Sequence, residues 1–352
     1  MLRQRMICPS ASLPLWAGIL LAAMLSGISG ARAQEPTLDA TRRVFPEVGA
    51  GFRAVRRGPD SSYYVLAAMT PPTTSKSSKP AAPSQFAVLV FDAEGRKIRQ
   101  IPVEPPPRET VSGRSLDVDA AGRIYVADAN SNAVIVYAAD GTLLARLRIP
   151  SPTQIVALPH DQLAVHSANS GHLIAVYDLH GALIREFGEL AELSDDAELN
   201  RRLNAGQLAA DEAGILFFAF RYLPEPTVRK YDPASGQLVD ELSLTTLDLQ
   251  PMAQSARQEI ARIAAGKAQL PHEIISGLGV DPQTQEFWLA LGNLLMHFDN
   301  ANNLTASSRA YTPDGARVVP DFILVEKDHL FLGSDPLGIY EFPRAPGKIP
   351  RP

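Results

Sequence analysis

The chain reads as an all-β protein, a six-bladed β-propeller of four-stranded antiparallel blades with a short helical insertion between blades 4 and 5. Three observations carry this expectation. An aromatic residue closes a short apolar strand six times, in VLVFD (Phe91), VIVYA (Tyr137), IAVYD (Tyr177), VRKYD (Tyr231), LMHFD (Phe298) and GIYEF (Tyr340). These aromatics stand 46, 40, 54, 67 and 42 residues apart, near the blade period of about 40–45 residues. Upstream of the aromatic lies a second strand pair with its own tight turn: LDVDAAGRIYVAD, LAADEAGILFFAF, LGVDPQTQEFWLAL and FILVEKDHLFLGS. A β-sandwich lacks so long a repeat, and a solenoid lacks two tight hairpins per unit.

Before the repeats, residues 1–33 read as a secretory signal. Arg3 and Arg5 form a positive leader, Leu13 to Leu25 an apolar run, and Ala31-Arg32-Ala33 an A-x-A cleavage site. The run falls short of the roughly 20 residues of a membrane span; an uncleaved anchor is the alternative. Cys8 is the single cysteine and lies inside this leader, so the mature chain is expected to use neither disulfides nor thiolate chemistry. Export to a periplasm or the cell exterior follows. Removing three arginines leaves 30 basic against 38 acidic residues, a net charge that argues against nucleic acid and anionic lipid as partners.

Residues 34–345 are expected to form one domain. Four aromatics lead into turns that reach Gly, in DAEG, AADG, DLHG and DPASG, and DNANN does the same with Asn. The sixth copy lacks such a turn, because the proline-laden EFPRAPGKIPRP cannot pair as another strand. A bare edge is a liability, so a strand at Arg43–Glu47 is expected to complete the last blade. Residues 70–84 read as a disordered loop and 346–352 as a disordered tail.

The second copy resembles the NHL-repeat family in Leu116-Asp117-Val118-Asp119, Gly122-Arg123-Ile124-Tyr125-Val126-Ala127-Asp128, Val134-Ile135-Val136-Tyr137 and Asp140-Gly141. The resemblance extends over nearly the whole mature chain and implies a six-bladed propeller. It is specific for fold and says little of function.

Tight turns fall on one face of the predicted disc. The longer links, at 70–85, 104–114, 166–172, 189–203, 220–227 and 246–273, fall on the other, where binding residues tend to sit on a rigid scaffold. A short capped helix is expected within 194–206. A longer one fills an insertion at 249–267, with Met252, Ala256, Ile260 and Ile263 on one face at helical spacing.

No G-x-S-x-G elbow, phosphate-cradling glycine loop or paired-histidine zinc helix is present. His166 and His172 flank one loop, but a catalytic zinc takes three protein ligands. Most acids belong to turns. Asp128 and Asp335, with Asn130, Asn169 and Asn293, are expected near the axis on the long-loop face, an oxygen set that calcium could use. Lactonase-type propellers suggest that role, yet their Glu-Gly-Pro start is replaced by Gly51-Phe52-Arg53. The zinc histidines of the NHL-like amidating lyase also lack counterparts. Arg114, His166, Arg221 and Tyr222 complete the candidate ligand site, with donors suited to an anionic or sugar-like group. The expected function is recognition of an envelope or extracellular protein, peptide or glycan by a monomer without a cofactor. The alternative is a metal-dependent hydrolase or lyase at the axial channel.

Overall fold

The computed structural model describes residues 36–69, 85–104, 110–267 and 271–344. The leader with Cys8, the loop at 70–84 and the tail at 346–352 lie outside the described residues. Two strands open the chain, β1 (Thr37–Asp39) and β2 (Arg42–Val44). Blade 1 follows as β3 (Phe52–Arg57), β4 (Tyr63–Met69), β5 (Gln85–Phe91) and β6 (Lys97–Val103). Blade 2 is β7 (Gly113–Val118), β8 (Ile124–Asp128), β9 (Ala133–Tyr137) and β10 (Leu143–Arg148). Blade 3 is β11 (Pro152–Leu158), β12 (Gln162–Ser167), β13 (His172–Asp178) and β14 (Leu183–Glu189). After helix α1 (Ala197–Leu203), blade 4 is β15 (Gly206–Ala210), β16 (Leu216–Phe220), β17 (Thr227–Tyr231) and β18 (Leu238–Ser243). Helix α2 (Gln250–Ala264) precedes blade 5, which is β19 (Gly277–Val280), β20 (Phe287–Leu291), β21 (Leu294–Phe298) and β22 (Leu304–Tyr311). Blade 6 has β23 (Phe322–Val325), β24 (His329–Ser334) and β25 (Gly338–Pro343).

The first strands of successive blades touch around a full circle, β3 to β7, β11, β15, β19, β23 and back to β3. The protein is thus a six-bladed β-propeller. Each blade is covered on both faces by its neighbours, so middle strands such as β8, β9, β16 and β20 are buried at every position. That burial explains their continuous apolar sequence, where a half-exposed strand would alternate. Outer strands such as β10 and β18 are largely exposed. Apolar clusters fill the spaces between blades; one joins Leu66, Val88 and Val90 of blade 1 to Leu116, Ile124 and Val126 of blade 2. Among the described residues no helix is long and apolar enough to cross a membrane.

Ring closure uses the chain's beginning. Strand β2 pairs antiparallel with β25, Arg42 opposite Glu341, Arg43 opposite Tyr340 and Val44 opposite Ile339. An Arg42–Glu341 ion pair of 2.7 Å adds to the ladder. The strand ends at Val44 rather than running to Glu47, because Phe45 adopts φ 49° and turns its ring inward. A bulky residue seldom takes that conformation. Packing holds it there: the ring lies 4.6 Å from Phe91, 5.4 Å from Tyr63 and 5.8 Å from Phe331, joining blades 1 and 6. Strand β1 pairs in parallel with β22 and gives blade 5 a fifth strand, an addition with no signal in the repeat pattern.

Five of the repeated aromatics, Phe91, Tyr137, Tyr177, Tyr231 and Phe298, stand opposite the start of their blade's second strand. In each case a bulge in the following hairpin falls beside the aromatic. In blade 6 this position belongs to Phe342, opposite Leu330, and the expected Tyr340 is displaced by two residues. Alternation keeps both rings on one face, but Phe342 is fully buried and Tyr340 only half-buried.

Two polar side chains tie the inner strands together. Asp117 on β7 accepts a hydrogen bond from the Ala157 N–H of blade 3 at 2.7 Å and lies 3.2 Å from the Arg56 guanidinium of blade 1. Gln207 on β15 donates to the carbonyls of Ser276 (2.5 Å) and Asp321 (3.1 Å) and accepts from the Leu278 N–H (2.6 Å). Blades 1–3 are linked by the first residue and blades 4–6 by the second. Phe342→Ala is expected to lower unfolding free energy by about 3–5 kcal/mol. Tyr340→Ala should cost less than half as much; urea denaturation of both variants compares them.

Candidate functional site

The inner strands enclose an axial cavity of about 1340 Å³. Chain direction fixes which end each lining residue occupies. First strands begin on the long-loop face, so Arg53 and Arg114, each second in its strand, lie at that mouth, as does Arg221 just after β16. Arg56, Asp117, Asp211, Asp281, Glu326 and Arg344 line the tight-turn end.

The two ends differ in how their charges are matched. At the tight-turn end Arg56 faces Asp117, Arg57 pairs with Glu326 and Arg344 with Asp281. Burial pushes the carboxyls of Asp117 and Glu326 above their ordinary range, against the opposing charges of Arg56 and Arg57. At the long-loop mouth the wall contains the guanidinium groups of Arg53, Arg114, Arg201, Arg202 and Arg221 against the carboxylates of Asp321 and Asp335. Asp335 accepts from the Gly51 N–H at 3.1 Å and lies 3.9 Å from Arg53, while Asp321 accepts from the Asp335 N–H at 2.7 Å. Arg221 pairs with Glu273 at 2.7 Å. Arg114 and Arg201 have neither an ion pair nor a side-chain hydrogen bond among the described residues. Such a surplus in a chain of net charge −5 makes this mouth a local attractor for anions.

Backbone irregularity aims two of these groups. In β3, β7 and β11 the register slips once near the long-loop end, at Phe52/Ala54, Gly113/Ser115 and Pro152/Gln154. The extra residues are Arg53, Arg114 and Thr153, and a bulge re-aims the residue it contains. Strands β15, β19 and β23 carry no such slip. Arg201 and Arg202 come from the last turn of α1, where cations suit the negative end of the helix dipole. Asp196 caps this helix, accepting from the N–H groups of Glu198 and Leu199.

The insertions form one unit. Leu199 and Leu203 of α1 meet Ile260 and Ile263 of α2, with Leu193 and Tyr222 against them. Leu249 and Met252 reach down to the cluster between blades 4 and 5. Tyr222 is thus a packing residue of this helical pair as well as part of the cavity wall, and burial raises its phenol pKa.

Of the nine residues read from the sequence as a ligand site, Arg114, His166, Arg221, Tyr222 and Asp335 line the cavity. The other four do not, and local hydrogen bonds account for them. Asp128 ends β8 fully buried, away from the axis; it accepts from the N–H groups of Ser112 (2.8 Å) and Asn130 (3.2 Å) and from the Ser131 hydroxyl. Asn130 donates to Thr110 at 3.2 Å and Asn169 to Ser151 at 2.9 Å. Asn293 accepts from Arg309 at 3.0 Å. His172 faces Glu186 at 3.8 Å, outside the cavity wall. Of the oxygen set expected for calcium only Asp335 lines the cavity, and among the described residues no three His, Cys, Asp or Glu side chains are grouped to hold a metal ion. Arg53 and Arg201 also line the cavity and are not among the nine. The recurrence of Arg just inside the first strands of copies one and two, in GFRAV and GRSLD, was the available signal for Arg53.

His166 is buried in the wall with its ring edge-on to Phe218, the centroids 5.0 Å apart. Burial lowers its pKa to about 4; the Arg221 charge acts in the same direction and the hydrogen bond with Leu173 opposes both.

Comparison with known proteins gives the fold and no family. No family model matches the chain and no curated protein matches it. A solved streptogramin B lyase aligns with a TM-score of 0.52 at 13% identity, over 84% of each chain. Catalytically inactive virginiamycin B lyase from Staphylococcus aureus with quinupristin aligns at 0.51 and 11% identity, over 86% of this chain and 87% of that one. Hydrazine synthase of Kuenenia stuttgartiensis aligns at 0.50 and 12% identity, over 85% and 97%.

Because unfolded histidine titrates near 6.5, the unfolded chain binds this proton more strongly between pH 6.5 and about 4. The stability associated with neutral His166 is fully present above pH 6.5 and is lost as pH falls towards 4. Relative to His166→Phe, the wild type should lose roughly 2–3 kcal/mol over that interval. Paired urea titrations at pH 7 and pH 4 measure the difference.

Proposed function

We propose that this protein is an exported binding propeller whose long-loop mouth holds an anionic group of a protein, peptide or glycan in the cell envelope or outside it. The observation that carries the reading is the pair Arg114 and Arg201, which have no ionic partner among the described residues and line the same cavity. One is positioned by a bulge and the other by a helix end. Guanidinium groups offer planar, forked donors that match carboxylate, phosphate or sulfate. The bulged strands and helix ends are set by the surrounding blades, so the donors are arranged before a ligand arrives and little ordering is required on binding. The reading of residues 1–33 as a secretory signal agrees with a partner met after export.

A hydrolase or lyase at the same cavity is the competing reading. The lyases named above share this fold at 13% identity or less, which carries no chemistry across to this chain. The described acids of the mouth, Asp321 and Asp335, are held by backbone N–H groups of their own ring.

Calorimetry with acidic peptides and acidic oligosaccharides tests the proposal. The double variant Arg114→Ala, Arg201→Ala should bind the preferred anion at least about tenfold more weakly, a loss of about 1.4 kcal/mol or more. The wild-type affinity should itself fall with added salt. Equal affinity in wild type and double variant would move the site elsewhere. Turnover of the bound ligand would favour the enzyme.

A further inference from the structure

Three carboxylates gather at one side of the long-loop mouth. Glu273, Asp321 and Asp335 stand on links of blades 5 and 6, before β19, before β23 and between β24 and β25. Two arginines lie among them: Arg221 pairs with Glu273 at 2.7 Å, and Arg53 stands 3.9 Å from Asp335. Asp321 has no ion pair among the described residues. Its carboxylate accepts from the Asp335 N–H at 2.7 Å. Its own N–H donates to the Gly333 carbonyl at 2.7 Å, and its carbonyl accepts from Gln207 at 3.1 Å. The residue is thereby fixed in place, and it is exposed where it lines the cavity.

This setting disfavours the charged carboxylate. Enclosure by the surrounding wall raises the pKa of Asp321, and the Glu273 and Asp335 charges add to the rise. The Asp335 N–H and the Arg221 charge oppose it. Asp321 therefore takes up its proton at a higher pH than an ordinary carboxylate. The arc from blade 4 to blade 1 holds three acids and two arginines, so one proton removes its excess negative charge. A sphere of the cavity's 1340 Å³ is about 14 Å across. An anion at the mouth is thus within about two Debye lengths of Asp321 at physiological salt, and the two interact without touching.

We propose that Asp321 sets the charge of the mouth by proton uptake, so that anions are held more tightly in mildly acidic surroundings than at neutral pH. This inference rests on the anion-binding reading above. A bound anion makes a negative charge on Asp321 costlier, so binding and protonation favour each other. The sign follows. Affinity is flat while Asp321 stays ionised and rises as pH falls through its titration.

The test is calorimetry of the full chain with a sulfated disaccharide, whose sulfate ester keeps its charge throughout, at pH 7.0 and 4.5 and equal ionic strength. Wild type should bind at least threefold more tightly at pH 4.5. Asp321→Asn, whose amide oxygen can still accept from the Asp335 N–H, should bind at least threefold more tightly than wild type at pH 7.0 and change little on acidification. Glu273→Gln removes a charge that raises the Asp321 pKa, so its affinity rise should begin at a lower pH than in wild type. That variant carries the test if thermal melting shows Asp321→Asn to be misfolded. No rise in wild type, a full rise in folded Asp321→Asn, or an unshifted rise in Glu273→Gln overturns the proton control, while the binding itself upholds the anion-binding reading. Absence of binding at both pH values overturns this inference, and the anion-binding reading then stands or falls on the acidic peptides and oligosaccharides.

Discussion

A propeller blade has no stability apart from its neighbours, because both faces of its sheet are apolar and each is covered only by the next blade. The ring must therefore be shut, and here it is shut between blades 1 and 6 by Phe45 and the three residues before it. Strand β2 satisfies the open edge of β25. Phe45 then leaves the strand through a left-handed backbone to fill the gap between Phe91 and Phe331. The unfavourable conformation of one residue is offset by burial of its whole ring, worth about 1.5–3 kcal/mol for a large apolar side chain. Along the axis Asp117 and Gln207 do the corresponding work with hydrogen bonds, each joining three blades. The cavity has fixed walls because the circle around it is fixed.

Much of this was readable in the sequence because its determinants are local. Tight turns need Asp, Asn and Gly at set positions, and those residues mark every outer hairpin from DAEG to DNANN. Middle strands covered on both faces are apolar throughout, so they stand out as short continuous runs. The sixth aromatic shows where local information ends. Tyr340 and Phe342 share one strand face, and only the pairing of Leu330 with Phe342 decides which is equivalent to Phe91. The added strand β1 depends on contact with β22, far away in the chain, and has no local mark.

The candidate site was less legible, for the same reason. Arg114, His166, Arg221 and Asp335 were placed by counting strands, and that is enough to tell one end of the disc from the other. It does not tell the axis from the rim. Asn130, Asn169 and Asn293 follow second strands, where their amides serve neighbouring turns and strands. Asp128 looks like a free acid until the N–H groups of Ser112 and Asn130 are seen to fill it. Tyr222 takes its place from the meeting of two insertions more than forty residues apart, which no repeat pattern encodes. Arg53 owes its position to a bulge, and bulges are a property of the paired strands rather than of either alone.

Those bulges have a consequence for how a guest would sit. An ideal ring of six identical sectors offers any small guest six indistinguishable poses, rotated by sixty degrees from one another. Freezing a guest into one of six such poses forgoes a multiplicity worth about 1 kcal/mol, and nothing in a symmetric rim would say which pose to choose. In this ring the slips occur in three adjacent sectors and are absent from the other three, so the rim has a front and a back. A repeating scaffold thereby acquires a compass bearing.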